Sequence, residues 1–146
     1  MVPYKKRPQN FVDKSLKLNL GCGLDLKEGW INVDFIPKER IKKLLKERKI
    51  DIDLNKINYV EFDLNKFPYP FETNTIEEIY ECGTFMLLDN LIKVMNELGR
   101  ICKNGAKITT IDAAFPNFCS AQDPLVKTFI TYNTFNYFEE TPPIHI

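Results

Sequence analysis

The chain has 146 residues, with 20 basic and 20 acidic side chains and a formal net charge of zero, which is the size of one domain. With 44% hydrophobic and 12% aromatic residues it can bury a core, and folding at this length hides about 68 to 70% of the unfolded surface, so a folded domain rather than a disordered chain is expected. Balanced charge argues against a protein that coats nucleic acid, which shows a basic domain or stripe. No apolar run reaches the roughly 18 to 20 residues of a membrane span, and Lys5, Lys6 and Arg7 are not followed by an apolar signal core. No membrane partner is expected, and the chain is expected to be cytoplasmic. Cys22, Cys82, Cys102 and Cys119 form no CxxC pair, so zinc and iron-sulfur sites are not expected and the thiols are expected free and buried.

The first element is the strand Lys17-Leu18-Asn19-Leu20, broken by Gly21-Cys22-Gly23. A strand running into a glycine turn is the anatomy of a ligand site. A second strand, Trp30 to Asp34, follows after too few residues for a crossover helix. From Pro37 to about Lys49, Ile41, Leu44 and Leu45 sit at helical spacing among Lys, Arg and Glu, which describes an amphipathic surface helix with a solvated charged face. Tyr59 to Leu64 reads as a third strand, and the prolines of Phe67-Pro68-Tyr69-Pro70-Phe71 keep the next stretch extended. Thr75 to Gly83 supplies a fourth strand. A helix capped by Asp89 or Asn90 runs to about Cys102, with Leu91, Met95, Leu98 and Cys102 on its apolar side and Asn104-Gly105 at its end. Ala106 to Ala113 is a fifth strand, and Phe115 to Ile146 is rich in aromatic residues and threonine. Alternating strands and helices, with acids and glycines at strand ends, describe an α/β sheet whose ligand crevice lies at its carboxyl edge.

Gly21 and Gly23 let backbone approach a ligand where a Cβ would collide. Asp34 ends the second strand, where a carboxylate can accept two hydrogen bonds from a ribose diol, and Asp63 ends the third, beside the place of an adenine amino group. A dinucleotide site does not fit. Its fingerprint needs a glycine where Leu26 stands and an acid about 20 residues further on, whereas Asp34 follows Gly23 by 11. Without a helix N-terminus to hold a pyrophosphate, the cofactor is expected to lack phosphate.

Leu18-Asn19-Leu20-Gly21-Cys22-Gly23, Gly29-Trp30-Ile31-Asn32-Val33-Asp34, Phe62-Asp63-Leu64 with Phe67 to Phe71, and Ile76 to Tyr80 together resemble the class I S-adenosylmethionine-dependent methyltransferases. They are most similar to a small branch of predicted methyltransferases. The resemblance runs from about Lys17 to Phe138. It implies a Rossmann-like, mostly parallel α/β sheet lacking the first crossover helix and the last two strands, with residues 1–16 as an N-terminal extension and 17–146 as the methyltransferase-like domain. It also implies S-adenosyl-L-methionine as cofactor. Gly21, Cys22 and Gly23 would border its methionine and ribose, Asp34 would bind the ribose hydroxyls, Asp63 and Leu64 would contact the adenine, and Glu81, Cys82 and Gly83 would face the methionine or the acceptor. No metal is implied.

The branch carries a His-x-Leu-Glu-His-like segment after its fourth strand. Here Gly83 to Asp89 holds no histidine, and the loop Gln122 to Lys127 also lacks its usual one. The histidine present, His145, is one residue from the end. Methyl transfer from a sulfonium is an in-line displacement that chiefly requires positioning. For a hydroxyl acceptor, Asp112 or Asp123 is a candidate base. Phe129, Tyr132, Phe135, Tyr137 and Phe138 are expected to form lid and core. The expected activity is methyl transfer to a small-molecule or glycan-type acceptor, with a degenerate, non-catalytic binding or scaffold module as the alternative. A sheet edge left open by missing strands is expected to pair with another chain as a homo-oligomer.

Overall fold

The computed structural model describes residues 16–139. Five strands, β1 (Leu16–Leu20), β2 (Ile31–Asp34), β3 (Asn58–Glu61), β4 (Ile76–Cys82) and β5 (Cys102–Ile111), form one sheet in the order β3-β2-β1-β4-β5. Every pairing is parallel. The sheet is thus wholly rather than mostly parallel, and among the described residues it has no sixth or seventh strand. The expected N-terminal extension lies outside the described residues except for Leu16, which opens β1. His145 also lies outside them.

A parallel strand pair needs a crossover, and a parallel sheet is normally covered by helices on both faces. Two crossovers here are helical. Helix α1 (Lys38–Glu47) joins β2 to β3 and buries Ile41 and Leu45, and α2 (Leu91–Ile101) joins β4 to β5. The Asn90 side chain caps α2 by accepting from the Lys93 amide. The buried positions of α2 are Leu91, Val94, Leu98 and Ile101, which step by three and four and shift the expected stripe by one residue at two of its four positions. Leu18 and Leu20, Ile31 and Val33, and Ile79 meet this helix together with Phe85, Tyr69 and Ile130 in the main core.

The helix ends at Ile101, and β5 begins at once. Asn104-Gly105 is therefore not its cap. The register passes from Ile76 opposite Cys102 to Glu78 opposite Lys107, so the extra residues bulge from an edge strand, where a Gly turn signal serves equally well.

The other two crossovers, 21–30 and 62–75, contain no helix, and polar side chains hold each in place. Asn19 and Asn32 lie opposite each other in register on β1 and β2, both buried. Asn19 Nδ2 donates to Asn32 Oδ1 at 2.9 Å and to the Asp25 carbonyl at 2.6 Å. Asn32 Oδ1 also accepts from the Lys27 amide at 2.8 Å, while its Nδ2 reaches the carbonyls of Lys27 at 2.9 Å and of Trp30 and Asn58 at 3.2 Å. Above the loop, Lys27 lies 4.0 Å over the Tyr80 ring, and Trp30 meets that ring edge-on. The second loop is held from α2. Glu97 accepts from the Tyr69 amide at 2.6 Å, and Arg100 donates to the carbonyls of Tyr69 and Phe71 at 3.0–3.2 Å. The Arg100 guanidinium beside Glu97 holds that carboxyl below its usual range.

A buried polar group left unpaired costs about 1–3 kcal/mol, and Asn32 serves several at once. Asn32→Ala is expected to lower the unfolding free energy by about 3 kcal/mol or more, read from urea denaturation.

Candidate functional site

The carboxyl ends of the strands bring five short segments to one edge: Gly21 to Gly23 after β1, Asp34 to Ile36 from the last residue of β2, Phe62 to Leu64 after β3, Glu81 to Phe85 from the end of β4, and Asp112 after β5. At Gly21, with φ of +61°, an added Cβ would come within 2.1 Å of Thr84 Oγ1. This glycine is required by the chain's own packing across the edge. At Gly23 the space a Cβ would occupy is open, which leaves that backbone approachable.

Asp34 is buried, at 6% exposure. Its Oδ2 accepts from the Gly23 amide at 2.8 Å and its Oδ1 from the Ile36 amide at 3.0 Å. The carboxylate therefore ties the glycine loop to the end of β2, and each oxygen keeps lone-pair capacity for a further donor. Phe35, next in the chain, is 74% exposed. The sequence reading passed over this residue, although a large apolar side chain directly after a strand-end acid is a visible signal. Cys22 is buried beside Asp34, and burial first, then that carboxylate, pushes its thiol up to about 12. It is an inert thiol at neutral pH. Asp63 lies past the end of β3 and accepts from the Asn65 amide at 2.9 Å. The Leu64 side chain is buried in the core, and its carbonyl accepts from the Tyr69 hydroxyl at 2.9 Å. The expectation of buried thiols is corrected: Cys82, the last residue of β4, and Cys119, in the short helix Phe118–Gln122, are exposed.

Glu81, Thr110 and Asp112 form a cluster that no local sequence signal announces. Register places Glu81 opposite Thr110. Glu81 is fully buried and accepts from the amides of Thr84 at 3.0 Å and Phe85 at 3.3 Å, so it anchors the single turn Phe85–Leu87. It also accepts from the Thr110 hydroxyl. That hydroxyl lies 3.1 Å from Asp112 Oδ2, yet it has one hydrogen. With one hydrogen, the hydroxyl can donate fully to only one of the two carboxyls at a time. Burial, then the neighbouring Glu81, raises the Asp112 carboxyl to about 7, with Thr110 and the Met86 amide pulling back. Asp112 Oδ1 is buried and has no partner among the described residues.

Asp123, the other candidate base, is exposed and spends its carboxylate on the Leu125 amide at 2.8 Å, a turn-capping role. The segment it opens lies against the turn after β4, through the Lys127 and Thr128 amides on the Met86 carbonyl. The aromatic stripe divides. Phe135 and Phe138 pack on the core, whereas Tyr132 is 96% exposed and Phe129 and Tyr137 are also open. Two clefts, of about 490 Å³ between α1 and residues 50–55 and about 650 Å³ beside the start of α2, are not lined by any of the strand-end groups. Among the described residues no three His, Cys, Asp or Glu converge on a metal position, and no helix is long and apolar enough to cross a membrane.

No family model matches the chain, and no curated protein matches it. Solved structures do. A SAM-dependent methyltransferase from Archaeoglobus fulgidus superposes with a TM-score of 0.61 at 17% identity over 84% of this chain and 57% of its own. The YcgJ protein from Bacillus subtilis gives a TM-score of 0.61 at 14% identity over 84% and 58%. A putative methyltransferase solved in complex with the Trm112 methyltransferase activator of Haloferax volcanii gives 0.52 at 15% over 68% and 46%. The chain thus spans less than three fifths of the length of these proteins. Its fold is that of the Rossmann-like class I SAM-dependent methyltransferases.

A carboxyl that binds its proton more tightly when folded makes stability fall as pH rises from its unfolded value to its folded one. Between about pH 4 and pH 7 the wild type is expected to lose stability, because Asp112 ionises in the unfolded chain while it keeps its proton beside Glu81 in the folded one. Asp112→Asn should be flatter over that window in thermal unfolding scans, and equal slopes in the two proteins would refute the assignment.

Proposed function

We propose that this chain is a SAM-dependent methyltransferase domain that transfers a methyl group to a small-molecule or glycan-type acceptor. The observation that carries the reading is the convergence of Gly23, Asp34 and the Glu81–Thr110–Asp112 cluster on the carboxyl edge of a methyltransferase-type sheet.

The residues present fit S-adenosylmethionine. Gly23 is open, Asp34 has acceptor capacity for ribose hydroxyls, and Phe35 offers an exposed ring beside it for a base. Gly21 and Cys22 would shape the loop along the methionine side. Asp63 and the Leu64 backbone would border the adenine, and Glu81 and Cys82 would flank the methionine. When bound, the cofactor supplies an electrophilic methyl group on a sulfonium. The chain's own part is to hold the acceptor in line with that carbon, since positioning is the main demand of the reaction, and to accept the acceptor's proton. Asp112 Oδ1 is the atom proposed for the proton, with Thr110 and Glu81 fixing the carboxyl's orientation; a carboxyl near neutral pKa is suited to that exchange. Asp123 is the weaker candidate because its carboxylate caps a turn.

A second reading, a non-catalytic binding or scaffold module on the same fold, draws on three contacts. Both Asp34 oxygens already hold the chain's own amides, and Thr84 fills the space against Gly21. Turnover of the cofactor by purified protein with a candidate acceptor excludes it.

Calorimetric titration with S-adenosylmethionine and S-adenosylhomocysteine is expected to show binding, and silence at millimolar ligand with folded protein would sink the proposal. Hydrogen bonds to a charged group contribute about 1.5–3 kcal/mol, so Asp34→Ala should weaken affinity by roughly tenfold or more. Unchanged affinity in a variant with native circular dichroism counts against the ribose assignment.

A further inference from the structure

Natural sheets blunt their open edges with charges, bulges, proline or a covering segment. The two halves of β5 differ in this respect. Its first half carries the bulge and Lys103, which pairs with Glu77. Its second half, Lys107 to Ile111, is regular, holds one charge, and exposes Ile108 at 37% and Ile111 at 51%. The Gly83 amide donates to the Ile111 carbonyl, so Lys107, Thr109 and Ile111 turn their backbone groups toward β4, and Ile108 and Thr110 turn theirs outward. No other described residue hydrogen-bonds to those outward groups. Register also sorts the side chains. Ile108 and Thr110 share the face of Ile79 and Glu81, and Lys107, Thr109 and Ile111 share the opposite one.

This pattern is complementary to itself in one antiparallel register. With a two-fold axis at Thr109, Ile108 of each copy faces Thr110 of the other, and both are outward residues, so each pair exchanges two backbone hydrogen bonds. Thr109 meets Thr109 as a non-hydrogen-bonded pair, a favourable cross-strand partnership. Lys107 meets Ile111, so no like charges oppose and the lysine stem can cover the exposed isoleucine. An isologous contact of this kind closes at two copies. We propose that the 107–111 edge of β5 pairs with the same edge of a second copy, antiparallel about Thr109, to form a continuous ten-stranded sheet. A strand pair of this length is smaller than a standard stable interface, so the dimer is weak and concentration-dependent. Pairing also ties down the backbone of Thr110, whose hydroxyl bridges Glu81 and Asp112. The inference is independent of the methyltransferase reading.

The test uses the full chain with Cys82→Ser and Cys119→Ser as background, to remove the exposed thiols. Non-hydrogen-bonded partners place their Cα atoms about 4.5 Å apart, within disulfide reach. Thr109→Cys should therefore give covalent dimer on non-reducing electrophoresis after oxidised glutathione. Ile108→Cys should not, because its own copy lies diagonally at roughly 7–8 Å or more. Light scattering should show mass rising with concentration for the background protein. Ile108→Pro, which removes an outward donor without touching the β4 ladder, should suppress that rise while keeping native circular dichroism. Cross-linking that is absent or equal in the two cysteine variants overturns the proposal. An edge covered by another part of the same chain would give that result together with a monomer at every concentration. A dimer undiminished by Ile108→Pro overturns it as well.

Discussion

The structure depends on one buried contact, the hydrogen bond between the carboxamides of Asn19 and Asn32. A parallel sheet is covered by crossover helices because a helix satisfies its own backbone and offers an apolar stripe to the strands. A loop can do neither. Where residues 21–30 take the place of a helix, the strands beneath must supply the missing hydrogen bonds, and two asparagines in register do so for the Asp25, Lys27 and Trp30 backbone. The same loop begins with Gly21-Cys22-Gly23, so the geometry of the carboxyl edge is set from below by this pair and from the side by Asp34.

The second helix-free crossover follows the same physics with different residues. The proline-stiffened stretch cannot pair its own backbone, and Glu97 and Arg100 reach out from α2 to satisfy it. In both cases a shortened α/β unit exchanges apolar coverage for polar anchoring. Anchoring is less forgiving, because an unpaired buried carboxamide or guanidinium costs more than a lost methyl contact. On the face of β4 away from α2, Tyr80 lies beneath the 21–30 loop and Cys82 is exposed.

What the sequence disclosed follows from the range of each interaction. The order of the strands, the capped helix and the absence of two crossover helices are local features carried by glycines, prolines and apolar spacing, and the structure has them, though β3 ends at Glu61 rather than Leu64 and β5 runs Cys102–Ile111 rather than Ala106 to Ala113. The cap at Asn104-Gly105 was misassigned because a turn signal does not distinguish a helix end from an edge bulge. The burial of Val94 and Ile101 rather than Met95 and Cys102 turns on which side of a stripe meets the sheet, a tertiary fact. Glu81 and Thr110 stand 29 residues apart and meet only through the register of β4 and β5. Pattern reading therefore marked Asp112 as a strand-end acid without its partners.

Those partners distinguish the acids of the edge from one another. Asp34 accepts the Gly23 and Ile36 amides, Asp63 accepts the Asn65 amide, and Glu81 accepts two amides and a hydroxyl. All three shape the edge, and Asp34 keeps lone-pair capacity for a further donor. Asp112 alone combines a buried unpartnered oxygen with a carboxyl raised to about 7 by burial and by Glu81. A carboxyl in that condition is costly to keep for structure alone, since both the orphan oxygen and the forced proton weaken the fold. Such a group, held by a fixed threonine and a fixed glutamate at the carboxyl edge of the sheet, has the perturbed environment that marks a candidate functional residue.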